Sequence, residues 1–191
     1  FMSLGGIGEI GANCYLYGCD GKWIMIDLGL TFADEKFPGI EILVPKIDFI
    51  DQIGKNLEAI IISHGHEDHA GALAFFANKI KCPVYATNFT KLLIENRLKE
   101  FGLLDKIDLK ELNPKKKLSL EKFSIDFIST THSIPEPNSI VLTTIYGKLL
   151  HTADWKIDEN PTLGENFDFA KFKKLQNDQL LAIIGDSTNA N

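Results

Sequence analysis

Apolar positions along the chain change period twice. In the first third, short apolar runs alternate with glycine, and residues 4–11 form a glycine-punctuated turn. Residues 14–17 and 23–28 are expected as two strands joined around Asp20-Gly21, residue types that accept the positive φ of a tight hairpin turn. Pro38-Gly39 marks another turn. Residues 57–63 (LEAIIIS) are a nearly continuous apolar run, which suits a strand buried on both faces.

A helical period follows. Residues 70–80, dense in Ala, Leu and Phe, predict one helix, and residues 83–86 a short strand. Residues 88–102 predict a second helix, with Ile94, Leu98 and Phe101 on its apolar face, Lys91, Glu95 and Lys99 on another, and Gly102 as its stop. From residue 107 to 154 the period returns to two: Phe123, Ile125 and Phe127 alternate with Ser124 and Asp126. Strands are expected at 140–145 and 148–153 around Tyr146-Gly147, a short helix at 169–175, and a final buried strand at 180–185. Strands, a few helices and more strands favour a sheet-rich α/β sandwich over a doubly wound parallel sheet. At roughly 100–200 residues per domain, 191 residues make one domain, or one and part of another.

Composition narrows the function classes. Apolar residues are 45% and charged residues 24%, ordinary globular usage that excludes a disordered tail, a collagen-like repeat or a coiled coil. The net charge of −6 argues against binding nucleic acid by bulk positive charge alone. No apolar run approaches the roughly 20 residues that cross a bilayer, so no membrane partner is expected. No basic region precedes an apolar stretch as in a secretory signal, and Phe1 before Met2 gives the expectation of either an engineered start or an internal piece of a longer chain. Three cysteines, Cys14, Cys19 and Cys82, form no regular framework. They read as free, buried thiols in a reducing compartment, hence a cytoplasmic protein, although Cys14 and Cys19 could in principle share a metal.

The chemistry is concentrated in histidine. Three of the five histidines fall within six residues, in Ser63-His64-Gly65-His66-Glu67-Asp68-His69, directly after the expected buried strand and before a helix. In an extended stretch, residues two apart point the same way, so His64 and His66 can chelate one ion from one side. The turn into the helix re-aims Asp68 and His69 toward a neighbouring point. Two adjacent metal positions follow, with imidazole and carboxylate donors that suit zinc and, with less preference, manganese. Glu67 is expected to face solvent or cap the helix. Gly5-Gly6-Ile7-Gly8 is not a dinucleotide fingerprint, because a strand rather than a helix follows it. Lys115-Lys116-Lys117 reads as a solvated turn rather than an RNA contact.

The histidine segment is similar to the signature of the metallo-β-lactamase superfamily. More narrowly, the chain resembles the ribonuclease J family of its β-CASP branch. Leu4-Gly5-Gly6-Ile7-Gly8-Glu9-Ile10-Gly11 with Asn13, Asp27-Leu28-Gly29, Phe37-Pro38-Gly39, His132-Ser133-Ile134-Pro135, His151-Thr152-Ala153-Asp154-Trp155-Lys156 and Asp186-Ser187-Thr188-Asn189-Ala190 follow in the family's order. The resemblance implies an αββα sandwich, incomplete here: residues 1–191 would be the N-terminal part of a metallo-β-lactamase domain, ending where a β-CASP domain begins. It implies that His64, His66 and His132 bind a first divalent ion, Asp68 and His69 a second, and that Asp154 bridges both. Asp68, His69 and Asp154 would form the catalytic set, Asp27 would hold a ligand imidazole from behind, and His151 would be structural.

The activity so implied is hydrolysis of RNA phosphodiesters in RNA processing and decay. Metal coordination would lower the pKa of a shared water from about 15.7 toward roughly 7. RNA is the implied partner, and the full-length protein is expected to be a homo-oligomer. Two departures stand out: Ala153 replaces a family glycine, and a last histidine ligand and the RNA phosphate-binding residues are expected beyond Asn191. Two other readings remain open at this stage, a thioesterase-type hydrolase of the same fold and a catalytically silent RNA-binding or assembly module.

Overall fold

The computed structural model describes residues 1–188. Asn189 and Ala190 of the closing Asp-Ser-Thr-Asn-Ala segment lie outside the described residues. The chain divides into two compact units, Phe1–Leu112 and Asn113–Asn191, each with its own sheet.

The first unit contains β1 (Met2–Gly5), β2 (Cys14–Cys19), β3 (Lys22–Ile26), β4 (Thr31–Phe32), β5 (Ile42–Leu43), α1 (Asp48–Ile53), β6 (Leu57–Ile61), α2 (Glu67–Ala70), α3 (Leu73–Phe76), β7 (Val84–Ala86), α4 (Asn88–Glu100) and β8 (Leu109–Glu111). Its sheet runs in the order β1-β2-β3-β6-β7-β8, and β4 pairs with β5 separately. The β2–β3 hairpin turns where the sequence predicts: Asp20 and Gly21 have φ of 48° and 79°, the two positive values of a type I′ turn. From β3 onward the strands are parallel. β6 lies between β3 and β7, which is why its sequence is an apolar run rather than an alternation. Ile60 and Ile62 join Leu16, Met25, Leu73 and Val84 in the main core. Each such side chain contributes about 1.5–3 kcal/mol on full burial.

The expected helix over 70–80 is instead two short pieces, α2 and α3, and the first begins at Glu67. Other segments take the carbonyls that a continuing helix needs. Leu28 N–H donates to His69 O (2.8 Å), Asn13 N–H to Asp68 O (3.0 Å), and Ala72 N–H turns away to Leu28 O (3.0 Å), whereas Glu67 O accepts from Leu30 N–H (3.0 Å) while keeping its helical bond from Gly71 N–H (2.8 Å). Gly29 permits this approach, since a Cβ there would overlap the Asp68 carbonyl. In α4, Ile94 and Leu98 are buried as predicted, but Phe101 is 51% exposed. It falls just past the last helical turn, where the i+7 projection no longer applies.

The second unit contains β9 (Leu118–Ser119), β10 (Ser124–Ser129), β11 (Asn138–Thr144), β12 (Gly147–His151), α5 (Phe169–Leu175) and β13 (Leu180–Ile184), with sheet order β13-β12-β11-β10-β9. Phe123, Ile125 and Phe127 are buried while Ser124 and Asp126 are half-exposed, as the alternation requires. Asp168 caps α5, its Oδ1 accepting from Lys171 N–H at 2.9 Å. Ile128, Val141 and Leu150 form a small core against Phe172, Leu175 and Leu180. The expectation of a buried final strand is not met: among the described residues β13 is an edge strand paired with β12 alone, and Leu181 and Ile183 are 52% and 61% exposed. The lysines at 115–117 lie on the connection from β8 to β9, where Lys117 pairs with Asp126 (3.0 Å), in keeping with a solvated turn.

Candidate metal centre

β6 carries the chain straight into the histidine segment. Ile62 N–H still bonds to Tyr85 O (2.9 Å), which holds the backbone in place one residue before Ser63. His64 is fully buried. His66 remains extended (φ −69°, ψ 151°) at the cap position of α2, so the chain turns only after it. His64 Nε2 and His66 Nδ1 consequently face one another at 3.1 Å, a separation at which two nitrogens can share one cation. α2 then places Asp68 and His69 in its first turn, with His69 Nε2 3.5 Å from Asp68 Oδ2. Glu67, beside them, reaches the Arg97 guanidinium at 3.3 Å.

Behind the imidazoles lies a buried carboxylate. Asp27 follows β3, continues its ladder through Asp27 N–H to Ile61 O (2.9 Å), and then turns with φ of 62°. Its carboxylate, with no exposed surface, accepts from Ser63 N–H (2.7 Å), from Ser63 Oγ–H (2.9 Å) and from His69 Nδ1–H (2.7 Å). A buried charge is tolerated when it is hydrogen-bonded in this way. Asn13 acts from the other side. Its Oδ1 accepts from the Tyr15 hydroxyl (2.8 Å), which directs Nδ2–H toward Asp68 Oδ2 (3.3 Å) and His69 Nε2 (3.1 Å). All three cysteines are unpaired by disulfide and buried. Burial, with a smaller contribution from the Asp27 charge, pushes the Cys14 thiol far up, and burial pushes Cys82 up to about 11. Buried thiols held protonated in this way pack as small apolar groups.

The remaining two predicted ligands belong to the second unit. His132 follows β10 and Asp154 follows β12. A bridge between Thr131 and Lys156, closed by Lys156 N–H to Thr131 O (2.8 Å), draws their loops together. His132 Nε2 then lies 3.6 Å from Asp154 Oδ2. The backbone before Asp154 is tied down by Thr152 N–H to Ile184 O (2.9 Å) and Ser139 Oγ–H to Thr152 O (2.7 Å). Ala153 has φ of 50°. His151 is buried in β12.

The structure thus brings His64, His66, Asp68, His69 and Asp27 together in the first unit, and His132 with Asp154 in the second. Imidazole nitrogens and carboxylate oxygens at these separations fit divalent cations of the zinc or manganese type. Sequence reasoning missed the roles of Ser63 and of the Asn13 amide. The adjacency of Ser63 to His64 was the one visible hint.

Fold and donor set together define a class. Residues 7–170 match the Metallo-beta-lactamase superfamily, and the chain belongs to it. Among curated relatives it is 39% identical to Ribonuclease J of Sinorhizobium meliloti over all of this chain, and 33% and 34% identical over 99% of it to Ribonuclease J2 of Bacillus subtilis and Ribonuclease J of Thermus thermophilus. In each case the chain spans 34% of the relative's length. Of solved structures, Zn(2+)-bound PqqB from Methylobacterium extorquens superposes with a TM-score of 0.57 (12% identity, 75% of this chain and 52% of that one). The metallo-beta-lactamase fold protein YhfI from Bacillus subtilis superposes with 0.52 (18% identity, 80% and 59%), and both matches speak to fold alone.

Proposed function

We propose that this chain is the metal-binding portion of a ribonuclease that hydrolyses RNA phosphodiester bonds. One observation carries the reading: a carboxylate and imidazole cluster lies at the end of β6, in a chain that resembles ribonucleases J along its whole length. His64, His66 and His132 would hold one divalent ion, Asp68 and His69 a second, and Asp154 would lie between them, its negative charge offsetting the repulsion of two dications. Divalent ions bound there supply Lewis acidity and an activated water at neutral pH. Asp27 and Asn13 set the orientation of the donors, and the cluster tolerates an anionic substrate because the two ions locally add positive charge to a chain of net charge −6.

The test is cleavage of a 5′-labelled RNA by the protein loaded with zinc or with manganese, alongside a thioester substrate. In the full-length enzyme, His66→Ala and Asp68→Ala should bring RNA cleavage to background without changing the far-ultraviolet circular dichroism. Elemental analysis should find about two divalent ions per wild-type chain. Turnover of RNA retained in either variant, or turnover of the thioester alone, overturns the proposal.

A further inference from the structure

Ser63 is not a ligand, yet its hydroxyl sits at the junction of the network. Its Oγ–H donates to Asp27 Oδ2 (2.9 Å), and the same oxygen lies 3.0 Å from His64 Nδ1. A hydroxyl that has given its proton to a carboxylate can meet an imidazole nitrogen only as an acceptor. His64 must therefore carry its proton on Nδ1, which turns Nε2 toward His66 Nδ1 as a bare donor atom. His69 obeys the same carboxylate directly: its Nδ1–H donates to Asp27 Oδ2 at 2.7 Å, which turns its Nε2 toward Asp68. One oxygen of one buried side chain thus fixes the tautomers of two imidazoles, directly for His69 and through Ser63 for His64.

We infer that Ser63 is a positioning residue whose hydroxyl relays the Asp27 carboxylate to His64, so that a single buried acid orients both adjacent metal positions. The inference rests on the metal-centre reading above for its functional meaning, but its structural content, the His64 tautomer, stands without any ion. A purely packing role for Ser63 would leave that tautomer indifferent to the hydroxyl. Ser63 is only 2% exposed and its N–H also bonds to Asp27 (2.7 Å), so the backbone anchor survives loss of the side-chain oxygen.

The experiment has two readouts. Long-range proton–nitrogen correlation spectra of the metal-free protein, with 15N-labelled histidine at a pH where the rings are neutral, report each tautomer. Wild type should show His64 protonated on Nδ1. Ser63→Ala should shift His64 toward a mixture while His69 keeps its proton on Nδ1, and Ser63→Thr, which retains a hydroxyl, should restore the wild-type signature. Chelator competition with zinc should show one of two sites weakened by about 10–100-fold in Ser63→Ala, and both weakened in Asp27→Asn, the range typical for loss of a group that orients a ligand. A wild-type His64 protonated on Nε2 overturns the inference whatever the variants do. An unchanged tautomer and unchanged zinc affinity in Ser63→Ala overturn it too. A wild-type protein with the expected tautomers but no zinc binding overturns the metal-centre reading instead.

Discussion

Ala153 holds a left-handed backbone conformation beside Asp154 and is 7% exposed. For a residue with a Cβ, this conformation costs about 1–2 kcal/mol. Glycine would relieve that strain but add roughly 0.4–1 kcal/mol of unfolded-chain entropy. Relief wins, so Ala153→Gly should raise stability by about 0.5–1 kcal/mol, read as a higher urea midpoint at unchanged slope. A lower midpoint would mean that the methyl packs more usefully than its backbone strains. The clustering of His64, His66, Asp68 and His69 was legible at this scale because the four share one short segment. Ser63 was not, because its partner Asp27 lies 36 positions away and only the β3–β6 pairing brings the two into contact.

Elements were legible where their determinants are local. The β2–β3 hairpin depends on Asp20-Gly21 and formed as read, and α5 spans Phe169–Leu175, the residues the sequence marks. The cap of α5 is a local device as well. Asp168→Ala should cost about 1 kcal/mol in thermal or urea unfolding, whereas Asp168→Asn should cost little, since either side chain can accept from Lys171 N–H. The break between α2 and α3 was illegible for the opposite reason. Composition over 70–80 favours a helix, but amides from residues 13 and 28 claim the carbonyls of Asp68 and His69, and tertiary bonding overrides propensity. The exposure of β13 escaped notice because an apolar run reports affinity for a core without saying whether neighbours cover it.

For the molecule as a whole, each unit has a buried apolar cluster of its own, so stability does not reside at the metal centre alone. Among the described residues no helix is long and apolar enough to cross a membrane. An ion that binds only the folded state adds to this stability by mass action, about 2.7 kcal/mol at one hundred times its dissociation constant. Chelation of the zinc-loaded protein should therefore lower the unfolding temperature by roughly 5–10 °C. His66→Ala should shrink that difference, and a melting curve indifferent to chelator would contradict cation binding by the folded chain.

The stitched carbonyls of α2 carry this point further. Because Asn13, Leu28 and Leu30 are bonded to Asp68, His69 and Glu67, the ligand arc belongs to the same cooperative block as the first sheet rather than hanging from it as a free loop. Its ordering entropy is met when that block assembles, so a cation held by the proposed ligands would not have to bear that cost.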